Sequence, residues 1–296
     1  VIEGPSGYLY GMRGANTTGF WRYDIASDTW SDEDATDTPL TISYGGSLVY
    51  DGSQYIYVMR GNSDDTFWRY DTSSDTWDSL ATTYFGSPSN AVNDNVYVGG
   101  SLAIDRENEL IFAIQGNYND GFSMYNINTN AWTVLTDLPN LPYQGASIAY
   151  DSPTNRVYYM PGNNSDLFYA YDVGNQTWST KNTVPGPINY GGALRSVGSD
   201  IYAIRGGNTN GFYKYNVQKD SWLTPTRGLF GGLYQGTTYF TQNYGADIVK
   251  GDGDNFYILR GNYSDDFVRW NQTTGAITSL SRTPIGNYLG SSLVYD

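Results

Sequence analysis

Six glycines, Gly14, Gly61, Gly116, Gly162, Gly206 and Gly261, each stand six residues before a phenylalanine: Phe20, Phe67, Phe122, Phe168, Phe212 and Phe267. Sixteen residues after the glycine comes Trp30, Trp77, Trp132, Trp178 or Trp222, with Ile277 in the sixth copy. A spacing held through six copies means that one supersecondary unit recurs, each unit covering an apolar face of the next. Every unit carries four short strand signals separated by turn residues; in the second they fall at 46–50, 55–60, 66–70 and 76–80. Runs such as YIYVMR and TFWRY are aromatic and β-branched, as strands packed on both faces require. The copies lie 47, 55, 46, 44 and 55 residues apart, glycine to glycine, which is the length of a propeller blade.

The two ends of the chain complete the pattern. The first unit starts at its second strand, 8–13, while the chain finishes with GSSLVYD at 290–296, a copy of GGSLVYD at 45–51. The spacing therefore predicts an all-β, single-domain fold over 1–296: a six-bladed β-propeller of four-stranded blades, closed by pairing of 290–296 with 8–13. The same complementarity used between molecules would instead build a fibre.

The stretch IYAIRGGNTNGFYKYNVQKDSW, residues 201–222, resembles the kelch repeat, with an apolar strand ending in a glycine pair, then aromatics, then a tryptophan. The resemblance covers residues 8–296, and five units place Ala15, Asn62, Asn117, Asn163 or Asn262 where the second glycine stands. It implies a fold and no activity. A weaker resemblance to the six-bladed sialidases rests on arginines before the repeat glycines and on SSDTW at 73–77, which lacks that family's internal glycine. It implies an arginine trio gripping a carboxylate beside a tyrosine nucleophile. Galactose-oxidase-like copper chemistry, also found on kelch propellers, would need histidine ligands.

The chain has no histidine and no cysteine. That removes the commonest general base, the commonest transition-metal ligand and all thiolate chemistry. Thirty acidic against sixteen basic residues give a net charge of −14, which repels nucleic acid and anionic membrane surfaces. No apolar run approaches the ~18 residues of a membrane span. Acidity, abundant Tyr and Gly and the absence of Cys point to an extracellular or cell-surface protein. Val1 does not open a signal peptide, so the numbering is expected to describe a mature or trimmed chain.

Several residue sets are candidates for function. Tyr44, Tyr97, Tyr143, Tyr190, Tyr244 and Tyr288 each precede a glycine by one or two residues at the entry to an innermost strand, and a ring of six around the channel mouth is expected. Such a ring offers flat apolar faces and hydroxyls to a sugar or a peptide, or else fills the channel. Arg13, Arg60, Arg205 and Arg260 precede four repeat glycines, with Gln115 and Pro161 in the other two places; they could grip a carboxylate or pair with Asp of neighbouring blades. Asp and Asn in the loops after the glycines make Ca²⁺ the one cofactor to consider, although their spacing matches no full ligand loop. Asp24, Asp71 and Asp172 read as turn caps.

Sequons occur at Asn16, Asn163, Asn175, Asn262 and Asn271, all in loops or turns expected to be exposed, and glycans at the first, second and fourth would shield much of the Tyr/Arg face. The two long connections, 78–96 and 223–243, fall opposite one another in blade order. Their Tyr84, Phe85, Leu229, Phe230, Leu233, Tyr239 and Phe240 are candidate interface residues. The expectation from all of this is a non-enzymatic extracellular scaffold or recognition module, a subunit of a surface assembly or filament, with protein neighbours as partners. The alternatives are a glycan-binding lectin and a sialidase-like enzyme.

Overall fold

The structure, a computed structural model, describes residues 7–31, 35–86, 94–223, 234–235, 238–239, 241–287 and 290–295. Six four-stranded antiparallel sheets form a ring, the expected six-bladed propeller. Blade 2 shows the plan. Its strands Ser47–Tyr50, Tyr55–Met59, Phe67–Asp71 and Thr76–Ser79 run from the channel outward, the second burying four of its five residues and the last largely exposed. The period-2 alternation of a one-sided sheet is missing because neighbouring blades cover both faces. A small hairpin, Tyr234–Gln235 with Thr238–Tyr239, lies in the connection between blades 5 and 6.

Blade 1 is closed by the other end of the chain. Ser292–Tyr295 pairs antiparallel with Tyr8–Met12, in the register Leu9 to Tyr295 through Met12 to Ser292. The strand copy at the C-terminus therefore pairs within the molecule, and two open sheet edges disappear.

The core consists of six apolar slabs, one at each junction between blades. The repeated aromatics build them. Phe20 of blade 1 is met edge-on by Tyr70 and Trp77 of blade 2, at centroid distances of 5.0 and 5.1 Å. The same triad recurs as Phe67 with Tyr125 and Trp132, and as Phe168 with Tyr215 and Trp222. Each indole then donates to a carbonyl of the preceding blade: Trp77 Nε1 to Thr36 O at 2.9 Å, Trp132 to Ala81, Trp178 to Thr136, Trp222 to Asn182 and Trp30 to Ser281. A turn residue in left-handed backbone adds a second clasp. Asp75 Oδ1 accepts both its own blade's Tyr70 hydroxyl at 2.7 Å and the Thr36 amide at 2.7 Å. Asp28, Asn130 and Asp220 do the same.

The junction between blades 5 and 6 differs. Ile277 stands where the tryptophan belongs and Gly275 where the acid belongs, so neither clasp can form from these positions. Trp270 takes the place held by tyrosine elsewhere and lies 5.0 Å from Phe212, recovering part of the aromatic contact.

The innermost strands expose one row of backbone groups to the channel, and serines answer them. Ser47 Oγ accepts the Leu102 amide of the next blade, Ser101 that of Ile148, and Ser147 that of Leu194. Blade 5 has Ala193 at this position. There Asp247 accepts the amide of its own neighbour Ile248 at 2.8 Å, and Arg195 Nε donates to the Ile248 carbonyl at 2.9 Å.

Candidate functional site

The loops after the repeat glycines gather on one face. Each begins with three successive residues in left-handed backbone; in blade 2 these are Gly61 (φ 68°), Asn62 (61°) and Ser63 (60°). A Cβ at Gly61 would lie 2.2 Å from the Tyr44 carbonyl oxygen, so both the conformation and the contact demand glycine. The second position is Asn in four blades because Asn tolerates this backbone better than other side chains do. The physical role of the second kelch-like glycine is thus kept without the glycine itself. Loop and neighbouring blade are then joined: Ser63 N donates to Val96 O and Val96 N to Asp64 O. Equivalent bridges join Thr17 to Ile42, Ser165 to Ile188, Thr209 to Gln242 and Ser264 to Asn287.

The third loop position is Asn16, Ser63, Asn164 and Asn208 in four blades, but Tyr118 in blade 3 and Tyr263 in blade 6. These tyrosines hold φ of 60° and 59° with 49% and 64% of their surface exposed. A bulky side chain in that region is a backbone outlier and carries a cost of order 1 kcal/mol or more. Blades 3 and 6 are opposite in the ring, so the pair brackets the channel mouth. Both lie in the Asp- and Asn-bearing loops considered above for Ca²⁺, NYND at 117–120 and NYSD at 262–265.

The mouth itself is narrower and less regular than a six-tyrosine ring. The glycine that opens each inner strand is the fixed point: Gly45, with φ 82°, lies where a Cβ would meet the Tyr97 carbonyl oxygen at 2.1 Å, and the pattern recurs around the ring. Counted from that glycine, Tyr44, Tyr190 and Tyr244 are one residue before it, whereas Tyr97 and Tyr143 are two before it. The first three line a cavity of ≈ 110 Å³ together with Val98 and Gln144. Tyr97 and Tyr143 do not line it; their rings lie against Tyr44 at 5.1 Å and Tyr118 at 4.3 Å. Tyr288 lies outside the described residues. Tyr190 and Tyr244 stack at 4.3 Å, and Gln144 hydrogen-bonds Tyr244. Burial, with the other phenols beside it, raises the Tyr44 pKa above the ordinary tyrosine value. Burial and the adjacent Tyr190 raise Tyr244 as well, so Tyr44 and Tyr244 present neutral phenols.

The arginines are spread over consecutive blades and engaged within the frame. Arg60 Nε donates to Thr41 O at 2.9 Å, Arg205 Nε to Pro187 O at 3.0 Å and Arg260 Nε to Thr241 O at 3.2 Å, while Arg13 reaches Gly286 O at 3.4 Å. Gln115 does the same work on Asn95 O. Arg60 is also paired with Asp64 at 2.5 Å and Arg260 with Asp266 at 2.7 Å. Each guanidinium ties down the segment leading to its blade's inner strand, and a convergent trio is not what the arrangement provides. Of the loop carboxylates, Asp64 and Asp266 are engaged in these pairs and Asp265 pairs with Arg282 at 2.9 Å. Asp24, Asp71 and Asp172 accept the backbone amides two or three residues onward, as turn caps do.

Of the interface candidates, Tyr84 is 50% exposed, but Phe85 is 3% exposed and packs on Trp132 at 6.3 Å, so it belongs to the core. Leu229, Phe230, Leu233 and Phe240 lie outside the described residues, as does the side chain of Tyr239. Asn16, Asn163, Asn175 and Asn262 are exposed. Asn271 is half-buried, donating to Asn255 Oδ1 and capping its turn through the Thr274 amide, and so departs from the expected exposure.

No family model and no curated protein matches the chain. Among solved structures it is similar to a chain in the crystal structure of a nidogen/laminin complex, at 12% identity and a TM-score of 0.66, covering 97% of both chains. At that identity the likeness is one of fold. It supports the propeller and leaves the kelch-repeat resemblance a matter of local motif.

Proposed function

We propose that this propeller is a non-catalytic recognition scaffold that acts outside the cell and holds a protein partner on its tyrosine face. The observation that carries the reading is the pair Tyr118 and Tyr263, two exposed rings kept in costly left-handed backbone on either side of a mouth lined by Tyr44, Tyr190 and Tyr244. Exposed side chains held at a backbone cost are a mark of functional positions. Tyr suits protein contacts, since it offers large rigid area at little conformational entropy. The similarity to a chain from a complex of two proteins is consistent with a protein partner. Net acidity, the lack of Cys and four exposed sequons favour an extracellular setting.

The test is selection of a displayed random-peptide library on the immobilised chain and on the Tyr118→Ser,Tyr263→Asn double variant, which restores the side chains found in sibling blades. Peptides enriched on the parent should lose at least about tenfold in affinity for the variant. Equal retention by both would overturn the assignment of this face. For the setting, mass spectrometry of the native protein should find glycan on Asn175, which is exposed in the turn before an outer strand and clear of the tyrosine face, and unmodified asparagine at all five sequons would remove that support.

A further inference from the structure

The other end of the channel carries a second, chemically different site. There the six inner strands splay into a cavity of ≈ 650 Å³ walled by Val49, Leu102, Ile148, Leu194, Val249 and Val294. Its size is within the roughly 300–1,000 Å³ range of small-molecule pockets, and its walls are apolar. Three cations enter it from separate blades: Arg106, Arg195 and Lys250. This is unexpected in a chain of net charge −14.

The placement of Arg195 is specific. It occupies the third position of its inner strand, where the other five blades have Val49, Ala103, Ala149, Val249 and Val294. Its Nε is fixed on the Ile248 carbonyl at 2.9 Å, and its nearest carboxylate is Asp247 at 3.6 Å. Asp247 already accepts the Leu293 amide and the Ser292 hydroxyl, so it is only a partial counter-ion. Arg106 uses its Nε on the Tyr50 carbonyl at 3.0 Å, its guanidinium 5.7 Å from the Tyr50 ring, and makes no ion pair among the described residues. Arg106 itself is exposed at the rim, where partial desolvation against the channel end and then the neighbouring Arg195 lower its pKa from the usual arginine value. Two carboxylates share the rim. Asp51 Oδ1 is spent on the amides of Ser53, Gln54 and Tyr55, and Glu107 is exposed. Two guanidinium groups fixed through Nε leave their terminal nitrogens for an incoming anion, the geometry that suits a carboxylate.

We infer that the wide end of the channel binds a small organic anion with an apolar body, of the medium-chain carboxylate class, the carboxylate taken by Arg106 and Arg195 and the chain by the channel wall. This does not depend on the tyrosine-face reading. Overall acidity disfavours small hydrophilic anions, so the apolar body is needed for affinity. Each further methylene that enters the wall should tighten binding about fourfold.

Titration calorimetry on the full chain with decanoate, octanoate, decanol and decyltrimethylammonium tests it. Decanoate should bind one to one, about fifteenfold more tightly than octanoate and at least about tenfold more tightly than decanol, with decyltrimethylammonium not binding. Arg106→Gln and Arg195→Gln should each weaken decanoate by about tenfold and leave decanol unchanged. Ala149→Phe, which fills the channel, should abolish both. Arg106→Gln leaves the Asp247 network intact, so it decides the point if Arg195→Gln fails to fold. Absence of decanoate binding, equal affinities for decanoate and decanol, or an unchanged decanoate affinity in Arg106→Gln would overturn the inference.

Discussion

A single residue in this chain is constrained mainly by backbone handedness and by what its carbonyl neighbours allow. Gly61 and Gly198 both have positive φ, 68° and 60°, but a Cβ at Gly198 meets nothing within 4 Å. Gly198→Ala should thus cost about 1 kcal/mol, from conformation alone, and Gly61→Ala more than about 2 kcal/mol because the Tyr44 carbonyl must also move. Urea unfolding of the two variants separates the effects. Asp75 gives a pH-dependent case. Burial pushes its pKa up, but hydrogen bonds from the Thr36 amide, the Tyr70 hydroxyl and the Thr36 hydroxyl outweigh that and hold it below the usual carboxylate value. A depressed folded-state pKa contributes stability above the unfolded value, about 3.9, and that stability is lost as the pH falls through the folded value. Asp75→Asn, which copies Asn130, should be nearly neutral at pH 7, within about 0.5 kcal/mol, and should flatten the loss of stability below pH ~4. Parallel parent and variant curves between pH 5 and 3 would refute this. The repeat glycines and the turn-capping acids were legible in sequence because their chemistry is local. The left-handed Tyr118 and Tyr263 were not, since backbone handedness at a non-glycine residue leaves no mark in a single sequence.

Among elements, the repeated tryptophan is a clasp as well as a core residue. Trp77→Phe keeps a ring against Phe20 and removes the donor to Thr36 O, so a loss of about 1 kcal/mol is expected. Trp77→Ala, which also loses the edge-on contact with Phe20, should cost about 3 kcal/mol or more. Thermal unfolding of both variants checks the gap; equal losses would mean the indole donor is the whole effect. The four strands of every blade could be read from aromatic runs and turn residues, and blade 2 differs from that reading by one residue at five strand ends. The tyrosine ring was misread at the same scale. "One or two residues before glycine" joins two structural positions, because a one-residue offset in a turn carries a side chain from the cavity wall to the rank behind it. The arginines were likewise read by type: Arg60 and Arg260 do pair with Asp, but of their own loops, and all four also hold carbonyls that spacing does not reveal.

For the whole molecule, closure is the decisive property, and it was legible because the missing strand of one end is written out at the other. Deleting residues 290–296 removes buried Leu293 and Val294 and uncovers the edge of Tyr8–Met12. A loss of about 5 kcal/mol or more is expected, lowering the melting temperature by at least about 10 °C and promoting self-association. Calorimetry and sedimentation would show both, and an unchanged melt would mean that closure adds little. The wide charged cavity escaped sequence reading, since Arg106, Arg195 and Lys250 belong to three blades and meet only through the ring. The junction of blades 5 and 6 has a further consequence. The chain's two ends meet at a seam with both the indole and the carboxylate clasp, while the joint with neither lies inside continuous chain. Under heat or load the molecule should spread like a key-ring, parting between blades 5 and 6 while its ends stay fastened.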